Sequence, residues 1–256
     1  MFIDTHTHLY VDAFDVDRDD VIKECLSNSI DKLLLPNIDV DSISSLLALS
    51  KAYPKICYPM MGLHPCSVDS NYEKELETIK NTLDQGNFIA VGEIGIDLYW
   101  DKSTLHFQEE SFAIQIAWAK EKKLPIVIHA RESYDEIFKI IDKLNDDNLC
   151  GIFHCFTGNH KQAEQIINYG NFKLGIGGVA TFKNGGLDNT LKGIPMEHIV
   201  LETDAPYLSP VPFRGKRNKS PYLIYIAEKL SEIYGCKINE IANQTTKNAL
   251  EIFKLD

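Results

Sequence analysis

Eight short runs rich in apolar and β-branched residues recur along the 256-residue chain, with longer stretches of helical periodicity between them. That alternation constrains the fold more than any other feature, because parallel strands need long crossovers and helices are the usual way to make them. The runs are FIDTH at 2–6, KLLLPNI at 32–38, KICYPMMGL at 55–63, FIAVGEIG at 88–95, PIVIH at 125–129, GIFHCF at 151–156, FKLGIGG at 172–178 and HIVLETD at 198–204. Between them, DRDDVIKECLSN offers Val21, Ile22, Cys25 and Leu26 as one stripe, and TLHFQEESFAIQIAWAKEKKL places Phe112, Ile116 and Ala119 on one side. Two more helices, Leu223 to Tyr234 and Ile238 to Phe253, close the chain. Eight strands in this alternation predict an α/β fold of TIM type, a (β/α)8 barrel, formed as a single domain over residues 1–256. An open doubly wound sheet would need a glycine-rich phosphate loop after an early strand. The first run leads instead into HTHLY, and the later GIGG at 175–178 reads as glycines in a barrel strand or its exit turn.

Composition narrows the function. A formal net charge of -11 argues against a whole-surface nucleic-acid binder, while leaving room for a local basic patch or bound cations. The six cysteines fall singly and read as free thiols, which, with no apolar stretch of membrane-spanning length, predicts a cytoplasmic protein with no membrane contact. No obligate protein partner is implied.

Active sites of such barrels lie at the carboxyl ends of the strands, so the test is whether ligand-type side chains end the runs. His6 and His8 end the first, and alternate positions in an extended segment point the same way. His64 follows the third, Glu93 sits in the fourth, His129 ends the fifth and His154 lies in the sixth. The eighth carries Asp204, with Glu202 behind it on the same side. Glu93 directly follows an apolar run, and an unpaired buried carboxylate costs several kcal/mol, so it needs partners. Asp97 is expected to cap or orient its loop, His106 to sit at the surface, and Cys66 and Cys155 to pack away from the cluster. Imidazole nitrogens with carboxylates form the set favoured by Zn, Mn, Co or Fe, with Mg preferring more oxygen. So many ligands suit two divalent metal ions better than one, with Glu93 as the natural bridge.

With these residues laid out, the chain resembles the TatD family of metal-dependent deoxyribonucleases, within the amidohydrolase-like barrels. The resemblance rests on DTHTHL at 4–9, GLHP at 62–65, VGEIGID at 91–97, IHAR at 128–131, HCFTG at 154–158 and LETDAP at 201–206. It implies that His6, His8, Glu93 and Asp204 hold one ion, and Glu93, His129 and His154 the other. Asp204 would also accept a proton from the attacking water, and His64 would meet the scissile phosphate. The implied activity is 3′-to-5′ exonuclease action on single-stranded DNA, with RNA a second candidate, releasing 5′-mononucleotides. Mg or Mn would support it, and Zn could occupy the purified protein. Related barrels hydrolyse other esters, so a D-aminoacyl-tRNA deacylase is the alternative, and a metal-binding protein without turnover is a third reading.

The segment RGKRNKSPYL at 214–223 matches a family loop but departs from it at Lys219 and Ser220, while Asn218 and Tyr222 are retained. Arg214, Lys216, Arg217 and Lys219 form the densest basic run of an acidic chain, and are expected to grip backbone phosphates without reading sequence.

Overall fold

A computed structural model of the chain describes residues 1–183 and 185–256. Among the described residues eight strands are present: β1 Phe2–Asp4, β2 Ile30–Leu35, β3 Cys57–Pro59, β4 Val91–Asp97, β5 Ile126–Arg131, β6 Gly151–Phe153, β7 Phe172–Ile176 and β8 Ile199–Leu201. All ladders are parallel, running β1-β2-β3 and β4-β5-β6-β7-β8 in chain order. Two seams close the ring. At one, the Ile89 and Gly92 amides donate to Pro59 and Met61 carbonyls, and Met61 donates to Ala90. At the other, Thr5 donates to the Leu201 carbonyl, Asp204 to His6 and His8 to Ala205.

The helices are α1 Arg18–Ser27, α2 Ile43–Ala52, α3 Tyr72–Gln85, α4 Leu105–Lys122, α5 Tyr134–Leu144, α6 His160–Asn168, α7 Leu187–Leu191, α8 Leu223–Tyr234 and α9 Ile238–Phe253. Each of the longer ones buries one stripe. In α3, Tyr72, Leu76, Ile79 and Leu83 return every third or fourth residue, the spacing that puts side chains on one helical face. Local chemistry sets the boundaries: Asn159 and Gln162 form a reciprocal capping box at the start of α6, and Gly235 ends α8 at a φ of 63°, which glycine adopts without a Cβ penalty. No described helix is long and apolar enough to cross a membrane.

Two apolar layers result. The larger lies between strands and helices and includes Leu33, Ile94, Phe112, Ile128, Ile137 and Phe153. The smaller joins Ile3, Leu34, Met60, Ala90, Val127, Ile152 and Val200, one residue from each of seven strand regions, with Ala249, Ile252 and Phe253 of α9. Alternation along each strand gives these residues the barrel interior, and α9 packs against that layer. The remaining end of the barrel is therefore the one available for chemistry.

Several strands stop earlier than their apolar runs suggest. β3 covers Cys57–Pro59 of the 55–63 run, β6 stops at Phe153 and β8 at Leu201. Beyond those points the backbone bonds across the seams or bends inward, with Cys155 and Asp204 at φ values of 45° and 57°. The bends carry the polar side chains over the barrel mouth.

Candidate active site

Glu93 lies at the centre of that mouth, almost fully buried. Its two oxygens face different neighbours. Oε2 is 3.1 Å from His6 Nε2 and 3.7 Å from His8 Nε2, while Oε1 is 2.9 Å from His129 Nδ1, 3.4 Å from His64 Nε2 and 3.6 Å from His154 Nε2. Asp204 Oδ1 completes the group at 3.5 Å from His8 Nε2, 3.8 Å from His6 Nε2 and 3.9 Å from His154 Nε2. His6, His8, His64, Glu93, His129, His154 and Asp204, separated by up to 198 positions in the sequence, thus meet at one place.

The outer contacts orient the imidazoles and set which nitrogen most of them turn into the site. The Tyr10 hydroxyl donates to the Pro36 carbonyl at 2.6 Å, so it accepts from His8 Nδ1 at 3.0 Å, and the lone pair of His8 falls on Nε2, inside the site. Asp97 Oδ2 lies 2.8 Å from His129 Nε2, and Nδ1 faces Glu93 Oε1 at 2.9 Å, so the ring is held between two carboxylates. Glu202 Oε1 lies 2.9 Å from His154 Nδ1 and leaves Nε2 inward. His6 stacks on His154 at 3.5 Å between ring centroids, and its Nδ1 is buried with no hydrogen-bond partner. His64 is the exception: its Nδ1 accepts from the Cys66 amide at 3.0 Å, so in the neutral ring the proton sits on Nε2 and points inward as a donor.

Buried imidazole nitrogens and carboxylate oxygens this close need a shared positive charge between them, supplied by protons on the imidazoles or by cations that replace those protons. The nitrogen and oxygen donors fit divalent metal ions, and the described residues form several groups of ligand spacing, His6–His8–Glu93 and His154–Cys155–Asp204 among them. Charge follows the same logic. Burial opposes ionisation of Glu93, yet His6, His64, His154 and the bond from His129 hold it well below the usual carboxylate range. Burial acts to lower His154, but Glu202, Glu93 and Asp204 together push it up to about 10. Asp97 is held at about 2 against its own desolvation by the His129 bond and the Tyr99 and Trp100 amides.

Some residues are placed otherwise than the sequence suggests. Cys66 is exposed, and both it and Cys155 line the cavity, because the chain leaves the strand geometry that would have turned them away. The Cys155 amide donates to Glu202 at 2.5 Å, so this residue helps hold the acid behind His154. Arg214, Lys216, Arg217 and Lys219 do not line the cavity. Arg217 bonds Asp17 at 2.5 Å and the Ala13 carbonyl, Lys219 bonds Glu24 at 2.6 Å, and the Arg214 guanidinium lies on the Phe182 ring at 3.7 Å. The retained Asn218 is buried and donates to the Thr203 and Tyr207 carbonyls, bracing the loop that carries Asp204. Ser220, a departure from the family loop, donates to Thr7 at 3.0 Å. His106 is at the surface, its ring against Phe107. Tyr10, Trp100 and Tyr207 were not legible as site residues, since an aromatic in a sequence reads first as core.

The cavity above Glu93 measures about 710 Å³, the size of an ordinary small-ligand site. A family model described as TatD related DNase matches residues 3–254. The chain belongs to the TatD family. Among TatD-related proteins, the metal-dependent hydrolase YabD of Bacillus subtilis is 36% identical over the full length of both chains. The 3′-5′ ssDNA/RNA exonuclease TatD of Pectobacterium carotovorum is 28% identical, covering 98% of this chain and 99% of that one. The crystal structure of YjjV, a TatD homologue from Escherichia coli, superposes with a TM-score of 0.93 at 27% identity, covering 100% of this chain and 98% of the other. TatD membership and the ligand groups together make this chain a metal-dependent hydrolase on an amidohydrolase-like barrel.

One glycine tests how tightly the TatD site is built. A Cβ at Gly175 would meet Glu202 Oε2 at 2.2 Å, and Glu202 is fully buried. Gly175→Ala is therefore expected to displace Glu202 from His154 and to weaken metal binding about 10–100-fold, the range for losing a partner that orients a ligand. Calorimetric titration with manganese would show it; unchanged affinity would mean that Glu202 does not orient His154.

Proposed function

We propose that the chain is a phosphodiester hydrolase that removes nucleotides from the 3′ end of single-stranded DNA, with RNA accepted as well, using two divalent cations, Mg or Mn, in the cytoplasm. The observation that carries this reading is the division of Glu93: one oxygen faces His6 and His8, and the other faces His129 and His154. On this reading His6, His8, Glu93 and Asp204 would hold one cation, and Glu93, His129 and His154 would hold the other. When bound, such ions supply Lewis acidity toward phosphoryl oxygens and acidify water.

The protein's own groups do the rest. Asp204 is kept ionised against burial chiefly by the nearby His154, so its carboxylate is free to take the proton of the attacking water. His64, whose Nε2 points into the site as a donor, is suited to a phosphoryl oxygen. The leaving 3′ oxygen and the phosphate on the released 5′-mononucleotide follow from attack at the terminal linkage. Of the basic segment, Arg214 and Lys216 are assigned to phosphates remote from cleavage. Arg217 and Lys219 are already in ion pairs with Asp17 and Glu24 and are assigned to holding that segment on α1.

Metal and protons compete for the same imidazoles. Because His154 is pushed up to about 10 and His129 is raised as well, cation binding must release protons, so apparent affinity rises with pH until those groups lose their protons unaided. Manganese affinity is expected to fall about tenfold for each pH unit through the range in which His154 is protonated, that is below about pH 10, one displaced proton giving that slope. An affinity independent of pH would contradict the proton count.

Digestion of single strands labelled at one end or the other, alongside a duplex, an RNA and a D-aminoacyl-tRNA, tests the substrate. A one-nucleotide ladder shortening from the 3′ end is expected. Internal cuts or loss from the 5′ end would reject the polarity, and activity on the aminoacyl ester alone would reject the substrate class.

A further inference from the structure

We propose that the rim of this cavity carries a nucleobase-stacking subsite, built from Trp100 with Arg131 on one side and Tyr207 on the other, that receives an unpaired base beside the scissile phosphate. The proposal rests on the nuclease reading above and names how that site recognises its substrate. Trp100 is 71% exposed, Tyr99 50% and Tyr207 52%, and Trp100, Arg131 and Tyr207 all line the cavity above Glu93. Aromatic rings this exposed, grouped at one opening, mark a binding surface more than a packing surplus. The Arg131 guanidinium lies 3.7 Å from the Tyr99 ring centroid and 5.5 Å from that of Trp100. A planar cation beside these rings can itself stack with a base and adds charge attractive to phosphate.

The rim is also tied to the chemistry. Asp97 Oδ1 accepts from the Tyr99 and Trp100 amides at 2.9 and 3.2 Å, while its Oδ2 lies 2.8 Å from His129 Nε2. One carboxylate therefore sets both the platform and an imidazole beside Glu93, which fixes where a base sits relative to the phosphate. Across the mouth, the loop after β8 places the Tyr207 ring 6.0 Å from that of His8. The β4 and β8 loops lie half a ring apart in strand order, so the two aromatics stand on opposite sides of the opening. Stacking needs an exposed base face, which a paired duplex does not present. That selects single strands without reading their sequence.

The test compares wild type, Trp100→Ala and Trp100→Tyr on two single strands, one intact and one whose three terminal 3′ nucleotides lack bases. Trp100→Ala is expected to raise KM for the intact strand about tenfold, the loss that follows removal of one stacking partner. It should leave kcat and the KM for the abasic strand nearly unchanged, with Trp100→Tyr restoring most of the affinity. Equal effects on both strands, or none, would overturn the proposal. Fluorescence separates it from the reading beneath it: the only other tryptophan is Trp118, on α4, so quenching by the intact strand in chelator reports Trp100 without turnover. Quenching without cleavage would keep the subsite and sink the nuclease reading; cleavage without quenching would do the reverse.

Discussion

Glu93→Gln is expected to lower hydrolysis by at least about a thousandfold and to cut the capacity for tightly bound divalent cations from two to one or none, since even partners that only orient metal ligands cost about 10–100-fold when lost. The substitution keeps the side chain's size in a site where Glu93 is 2% exposed, so packing is preserved. What changes is the charge and one acceptor. The amide nitrogen would point at the imidazole pair of either His6 and His8 or His129 and His154, where a carboxylate oxygen now stands to accept a bond or a cation. A neutral amide also offers less to a hard cation than a carboxylate does. Circular dichroism should be unchanged while bound metal, measured after gel filtration, falls with activity. Near-normal turnover in Glu93→Gln would remove the bridge from the account.

Phe153→Ala should give the largest loss of stability, about 3–5 kcal/mol, the range for truncating a buried phenylalanine. Phe153 is fully buried at the end of β6, with ring centroids of Phe172, Phe138 and Tyr134 at 5.8, 6.0 and 6.5 Å. These neighbours come from β7 and α5, so the cavity left behind is bounded by three elements that cannot all collapse into it. For a chain of this size each kcal/mol moves Tm by about 2–4 °C, which places the expected drop near about 10 °C. Phe153→Leu, which keeps most of the volume, should lose much less. Since His154 follows directly, metal affinity in Phe153→Ala should fall too, in proportion to the disorder of that strand end. Equal melting temperatures for the alanine and leucine variants would show that the ring is not part of the core.

The eight strand positions and the metal-type ligands were legible because each ligand is a polar residue that closes an apolar run, a juxtaposition barrel geometry makes functional. Gly92 to Asp97 is the clearest case, where a glutamate and an aspartate sit in a fully buried strand. The ends of the strands were less legible, since β3 and β8 pass into bonds across seams that no periodicity records. The basic segment was read as a phosphate grip because its acidic partners are remote. Asp17 lies 200 positions from Arg217 and Glu24 lies 195 from Lys219, and only folding brings them together. The same holds for the aromatics. Trp100 stands exposed at the cavity rim, which nothing in its sequence context records, and Tyr10 acts through a hydroxyl that meets His8 and the Pro36 carbonyl.

The most direct test of the two-cation hydrolytic centre is a titration of exhaustively chelated protein with manganese, following bound metal and cleavage of a 3′-labelled single strand in the same samples. Binding should saturate at two equivalents, with activity rising as the second is taken up, and Glu93→Gln should show neither. Full turnover before any metal is added, or activity that ignores the bound equivalents, would contradict it.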